Sequence, residues 1–395
     1  MLTNDQKREA TGLCVDLIRQ PGNSGQEGGT AAVLERFMRD KGFDEVVVDR
    51  YGNVIGSIRG SRPGPAILYD GHIDTVPVPD PGAWSRDPFG GAIADGKIYG
   101  RGASDMKGAV AAMAAAAANF AAAAGRDFAG SVHVAGVVFE ETFEGIAARE
   151  ISSRIRPDFV VIGEASELNL KIGQRGRAEI VLETFGVPAH SANPEKGVNA
   201  VHAMMKLAGE VEKIVPGEQP VLGKGVSVLT DIISTPYPGA SVVPSGCRAT
   251  YDRRLLVGET PDRVIAPYHE AVDRLVAADP AFKGRASFAK GRETCYTGAV
   301  IEGERFFPGW LFDAEEEFIR KALAGLRSAG LKPEISHYSF CTNGSHYAGE
   351  AGIKTIGFGP SRENLAHTID EYIEEAQLHA AAEGYAAISR ALLSE

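Results

Sequence analysis

The sequence predicts an α/β protein in which a small ferredoxin-like α+β domain is inserted into a larger sheet-and-helix domain. Three observations carry this. The chain has 395 residues, too long for one ordinary core. Short β-branched runs alternate with helical patterns up to about residue 174, the mark of a sheet covered by helices. Between about 175 and 290 the order becomes strand, helix, strand, strand, helix, strand, which is the ferredoxin-like unit. The expected divisions are therefore 1–174 for the first part of the outer domain, 175–290 for the insert and 291–395 for the second part.

In order, helices are expected near 5–20 and 27–41, then strands within 44–58 and over 66–70. Residues 109–124 contain twelve alanines in sixteen positions, and alanine is the strongest helix former. An apolar strand follows over 131–139, then a helix over 145–154 and a short strand over 159–163 that runs into Glu164. In the insert, strands are expected at 177–186, 225–233, 241–255 and 284–289. Its helices at 197–214 and 261–278 each carry an apolar stripe, Val198, Val201, Met205, Ala208 and Val211 on the first and Ile265, Tyr268, Val272, Leu275 and Val276 on the second. From about 291 the chain resumes helix, strand, helix, with a strand at 355–359 and a closing helix at 373–392.

Composition narrows the class of function. Hydrophobic residues at 44% and charged residues at 24% are ordinary for a globular protein. A net charge of −11, with no basic run interleaved with aromatics, argues against nucleic-acid binding. Four widely spaced cysteines, Cys14, Cys247, Cys295 and Cys341, read as reduced thiols. The amino terminus lacks the plan of a signal peptide, and the longest apolar run, 109–118, is too short for a membrane span. A cytoplasmic protein without a membrane partner is expected. No phosphate loop or dinucleotide fingerprint occurs.

Residues suited to metal chemistry recur at strand ends. His72 and Asp74 follow an apolar strand, and alternation puts them on one side; a metal-bound imidazole usually donates its other N–H to a carboxylate, while the plainer alternative is ordinary turn hydrogen bonding. Asp105 lies among Gly100, Gly102 and Gly108 just before the alanine-rich helix, where it can bridge two cations or simply cap the helix. Glu140 and Glu141 are adjacent carboxylates after a buried-looking strand. If buried they need compensating charge, one as a ligand and the other as a general base; if exposed they are a commonplace surface pair. With Glu164 and His367 the possible ligands number five, of the N/O type expected for zinc. Two dications against the three carboxylates Asp105, Glu141 and Glu164 leave one positive charge for a bridging hydroxide.

The chain resembles, nearly end to end, the dinuclear zinc peptidase and deacylase family that includes acetylornithine deacetylase, succinyl-diaminopimelate desuccinylase, aminoacylase and glutamate carboxypeptidase. The motifs are GHIDTVP (71–77), Trp84 with DPFGG (87–91), DGKIYGRGASDMKG (95–108), FEET (139–142), GEAS (163–166), PAHSANPEKGVNA (188–200), VVPSGCRATYDRRL (242–255) and AHTIDE (366–371). The resemblance implies a zinc-peptidase-like catalytic domain whose insert serves as a dimerisation lid. It implies His72, Asp105 and Glu164 on one metal and Asp105, Glu141 and His367 on the other, zinc first, with cobalt or manganese as alternatives. Asp74 would orient His72, and Glu140 would be the general base. His190 of a homodimer would reach the other subunit's site and stabilise the oxyanion. Arg254 would grip a substrate carboxylate, a task suited to a bidentate guanidinium.

The expected reaction is hydrolysis of the C–N amide bond of a small N-acyl or N-carbamoyl amino acid or short peptide. A dipeptidase or aminopeptidase of the same fold, and a silent metal-binding dimer, are the alternatives. Two departures from the family pattern fall where substrate should touch. Ser241 stands where many relatives have Asn, and residues 341–346 read CTNGSH, from which Asn343 is taken as a substrate contact. Glu rather than Asp at position 164 leans toward carboxypeptidase or deacylase activity. His133, His202, His269, His337 and His379 are expected to be structural, and His346, in the divergent loop, is left open.

Overall fold

The computed structural model describes residues 1–393 and divides into two compact units. The first holds Met1–Gln174, Arg292–Glu302 and the chain from Leu311; the second holds Arg175–Gly291 and Gly303–Trp310. The segment Gly303–Trp310, assigned to the outer domain by sequence reading, thus belongs with the insert. The reason is pairing: strand Phe306–Phe307 lies antiparallel to strand Gly176–Phe185.

In the first unit, strand Arg62–His72 pairs in parallel with Ala129–Val137 on one side and Phe159–Ile162 on the other, and Lys354–Gly357 continues the parallel run. The hairpin Glu45–Val48 and Val54–Arg59 extends the sheet antiparallel to Ala129–Val137. Register sets His72 beside Val137 and Asp70 beside Ile162. Three neighbouring parallel strands therefore end at one level, and side chains just beyond their carboxyl ends converge, where open α/β sheets place their sites.

Helix Gly108–Ala123 packs between Asn4–Ile18 and Glu375–Leu392 and touches the strand ending at His72. Its alanines permit that close approach, and Gly108–Ala118 is buried throughout. Counted from Ala103 it is long and apolar enough to cross a membrane, but 83% of its apolar window is buried inside the fold, as befits a core helix. Lys107, wholly buried at its start, donates from Nζ to the carbonyls of Leu17 and Gln20, 3.2 and 2.7 Å away, closing the end of the first helix. Gly359 shows what close approach demands: a Cβ there would lie 2.1 Å from the Gly163 carbonyl oxygen, beside Glu164.

The second unit has the strand order Val226–Thr235, Gly246–Leu255, Gly176–Phe185, Gly284–Phe288, all antiparallel. Helices Ala200–Val211 and Pro261–Ala278 close its core around Ile180, Leu182, Met204, Leu207, Tyr251 and Tyr268. Strand Val226–Thr235 is an edge, and Val228, Leu229, Ile232 and Ile233 are exposed along it.

His133 sits in the central sheet with Ser57 on Nδ1 and Ser131 on Nε2, both at 2.8 Å. Burial, with Arg59 adding to it, lowers its pKa to about 4. An unfolded chain protonates this ring near about 6.5, so between those values the unfolded state holds more proton. The neutral ring contributes stability that is complete above about 6.5 and is lost as pH falls toward about 4. His133→Gln should make the decline of Tm between pH 6.5 and 4 shallower than in the wild type; an unchanged slope would contradict the assignment.

Candidate metal centre

Each expected metal ligand stands at the end of a strand or in a loop stitched to one. His72 closes the central parallel strand and is buried. Its Nδ1 donates to the Asp74 backbone carbonyl at 2.8 Å, which leaves Nε2 facing Asp105 Oδ1 at 2.9 Å and Glu164 Oε1 at 3.5 Å. Across the cleft, His367 Nε2 lies 3.1 Å from Asp105 Oδ2 and 3.2 Å from Glu141 Oε2. The Asp105 carboxylate thus presents one oxygen to each imidazole. Ligand-capable atoms of His72, Glu140 and Glu164 lie within 4.8 Å of one another, as do those of His72, Asp105 and Glu141. Glu140, 6% exposed, enters none of the imidazole–carboxylate pairs.

The local chain explains these placements. Gly102, at φ +87°, turns the backbone into the Asp105 segment, where Asp105 and Met106 leave helical geometry. Asp105 is not a helix cap: Lys107 occupies that position and no side chain caps the helix. Asp74 serves differently from the expected imidazole carboxylate. Its oxygens accept from the Glu140 N–H at 3.1 Å, the Glu141 N–H at 3.2 Å and Ser24 Oγ at 2.7 Å, while His72 Nδ1 is 3.6 Å from the nearer one. The contact to His72 runs through the backbone of Asp74, and its carboxylate holds the pair of glutamates.

Electrostatics in the cleft point one way. Burial raises Glu164 to about 8, with Asp105 adding to the effect, and burial raises Glu140 well above the usual carboxylate range, helped by Glu164 and Glu144. Burial also raises Glu141, opposed by the hydrogen bond from His367. Burial works against a charged His72, yet Asp105 and Glu164 outweigh it and raise its pKa well above the ordinary value. Asp105 and Glu141 raise His367 to about 10. Burial would push Asp105 up, but its bonds to His367 and His72 bring it below the usual range. Carboxylates gathered this closely demand positive charge, and two imidazoles with oxygen donors are the chemistry that zinc, cobalt or manganese takes. The donor set fits a pair of divalent cations.

A model of peptidase family M20/M25/M40 matches residues 68–391. The chain belongs to this family. It is 34% identical over 393 residues to the uncharacterized protein YgeY of Escherichia coli K12, covering 97% of this chain and 94% of that one. It is 32% identical to the succinyl-diaminopimelate desuccinylase of Cereibacter sphaeroides (strain ATCC 17025 / ATH 2.4.3), covering 93% and 94%. Among solved structures, the M20 family metallo-carboxypeptidase Sso-CP2 of Sulfolobus solfataricus superposes with a TM-score of 0.76 at 16% identity, over 98% of this chain and 99% of that one, a likeness of fold. The protein is thus an M20 metallohydrolase with an α/β fold.

Two residues of the 341–346 loop are held by protein partners. Asn343, taken as a substrate contact, is 2% exposed; its Oδ1 accepts from the Gly145 N–H at 2.8 Å and its Nδ2 donates to Asp70 at 3.0 Å. The amide is turned inward because buried Asp70 needs donors, and Tyr347 supplies another at 2.8 Å. His346 is a structural pin between Ser152 and Glu350. His190 and Arg254 lie in the second unit. His190 is exposed, and its Nδ1 accepts from the Ala192 N–H at 3.0 Å; Arg254 Nε is 3.1 Å from Asp252.

Side-chain patterns do not mark residues whose partners are backbone amides. Glu27, wholly buried, accepts from the Phe139 N–H at 3.3 Å, so that Glu27 and Asp74 together hold the amides of residues 139, 140 and 141. Glu371 does the same for Ser104 and Asp105. No spacing rule signals such contacts. Chelator treatment is expected to lower Tm, with recovery on adding zinc, cobalt or manganese; an ion at a thousandfold its Kd adds about 4 kcal/mol. Asp105→Asn should abolish most of that metal-dependent shift, and an undiminished shift would place the ions elsewhere.

Proposed function

We propose that this M20 enzyme hydrolyses the amide bond of a small N-acyl or N-carbamoyl amino acid, or of a short peptide, with two divalent cations, zinc first and cobalt or manganese as alternatives. The observation that carries the reading is Asp105, with one oxygen toward His72 and the other toward His367. Its neighbours support a division of ligands in which His72 and Glu164 complete one position and His367 and Glu141 the other. Bound there, the cations supply Lewis acidity that activates a water and polarises the scissile carbonyl.

The remaining work falls to side chains. Glu140 takes the proton of the attacking water and returns it to the leaving nitrogen. Geometry alone would also admit Glu140 as a ligand beside His72 and Glu164. Charge favours the base: a fourth ligating carboxylate would cancel both dications and leave no positive charge to favour hydroxide. His190 suits an oxyanion donor, since the amide of Ala192 occupies Nδ1 and leaves Nε2 to carry the ring hydrogen. Arg254 suits a substrate carboxylate. The exposed apolar edge Val226–Thr235 supports a homodimer, as unpaired strands invite pairing with another copy. The desuccinylase named among the relatives favours an N-acyl substrate over a free dipeptide.

Glu140→Gln should keep the wild-type metal content and lose at least about 100-fold in kcat, the range of general acid–base catalysis. Near-normal turnover would remove Glu140 from the role, and loss of an ion would make it a ligand. On a panel of N-succinyl, N-acetyl and N-carbamoyl amino acids with free dipeptides, the N-blocked compounds should turn over faster. Arg254→Ala should raise their KM about tenfold or more, the loss of one charged hydrogen bond. Preference for free dipeptides would make the protein a dipeptidase.

A further inference from the structure

We propose that Glu371 is a positioning residue that fixes the loop bearing Asp105 to the loop bearing His367, and that retention of both cations depends on it; this rests on the metal-hydrolase reading above. The side chain of Glu371 is wholly buried. Its Oε1 accepts from the Ser104 N–H at 2.8 Å and the Asp105 N–H at 3.1 Å, and its Oε2 accepts from Arg101 Nη1 at 2.5 Å. The backbone repeats the tie: the Gly100 N–H donates to the Glu371 carbonyl at 2.9 Å, and Tyr372 pairs with Tyr99 in a short antiparallel ladder.

A buried Arg–Glu pair is by itself weak evidence of anything beyond charge balance. What distinguishes this one is its place. Glu371 holds the amide of the residue that faces both imidazoles and lies four positions after His367 in the same segment. Between them the chain makes two left-handed turns, at His367 (φ +62°) and Asp370 (φ +56°), and Asp370 accepts from the Ser85 N–H at 2.8 Å. That bond ties the loop to the Ser85 segment, so it does not hold the spacing to the loop bearing Asp105. The direct contact between His367 and Asp105 cannot hold it either, because those atoms are the ones that must turn to a cation. The span between the loops then has to be kept from behind, and the Glu371 carboxylate, bonded to both sides, is placed to do so.

The test compares Glu371→Gln and Glu371→Ala with the wild type, by metal content after desalting, by zinc titration and by kcat, well below each variant's Tm. Two ions per chain are expected in the wild type and one or fewer in Glu371→Ala, with kcat at least 100-fold lower. Glu371→Gln keeps an oxygen acceptor for the two amides, and should hold both ions with about tenfold weaker affinity for the second. A purely structural Glu371 would lower Tm in both variants and leave stoichiometry and affinity unchanged. A folded Glu371→Ala that retains two ions at wild-type affinity overturns the proposal. Should it fail to fold, wild-type affinity in Glu371→Gln does so. Hydrogen exchange in the metal-free wild type gives an independent reading: the Ser104 and Asp105 amides must exchange slowly, and fast exchange also overturns it. A wild type that takes up no divalent ion would instead sink the metal-hydrolase reading; two ions in every variant would sink only the role of Glu371.

Discussion

Repulsion among carboxylates is the constraint around which the first unit is organised. Asp105, Glu140, Glu141 and Glu164 come together in a shielded cleft, with Asp74 beneath them, and gathering so much like charge out of water is unfavourable without partners. The fold meets this on two levels. Imidazoles from His72 and His367 each meet one oxygen of Asp105, and the Asp74 carboxylate is held by the backbone amides of Glu140 and Glu141. Neither alone would hold the group in place. The proposed divalent cations would complete the neutralisation, so that metal binding and the integrity of the cleft would become one problem.

The parallel sheet makes this gathering possible. Three adjacent strands end at one level, so three sequence-distant segments deliver His72, the Glu140–Glu141 pair and Glu164 to the same edge. The buried alanine-rich helix lets Asp105 sit just before its first turn without bulk between the helix and its neighbours. The second unit, built on its own antiparallel sheet, carries the two residues proposed to meet substrate, His190 and Arg254.

Much of the charge centre was legible in the sequence because His72, Asp105, Glu141 and Glu164 follow an apolar run or a glycine-rich turn, where side chains emerge from a sheet, whereas His367 was marked only by its AHTIDE motif. The order of elements in the insert was equally readable, since helix and strand periods differ. Three things escaped. Glu27 and Glu371 act on backbone amides, which every residue possesses, so nothing in a pattern of side chains marks them. Asn343 was taken as a substrate contact because its loop departs from the family pattern where substrate is expected, but buried Asp70 claims its amide, a partnership across more than two hundred residues. The return of Gly303–Trp310 to the insert rests on a two-residue antiparallel pairing and on the backbone bonds of Arg305 to Glu179 and Ala289, contacts too brief for any alternation to register.

The five proposed ligands span positions 72 to 367, with the whole second unit lying between the fourth and the fifth. A chain leaving the ribosome would expose His72, Asp105, Glu141 and Glu164 long before the other imidazole is made. All three side chains proposed for the first position, one of them shared, are then on hand, while the second is short of its nitrogen donor. On the proposed assignment, a polypeptide interrupted before residue 367 would hold the full set for the first position and lack the imidazole of the second, so occupancy of the pair would depend on a residue made late in synthesis.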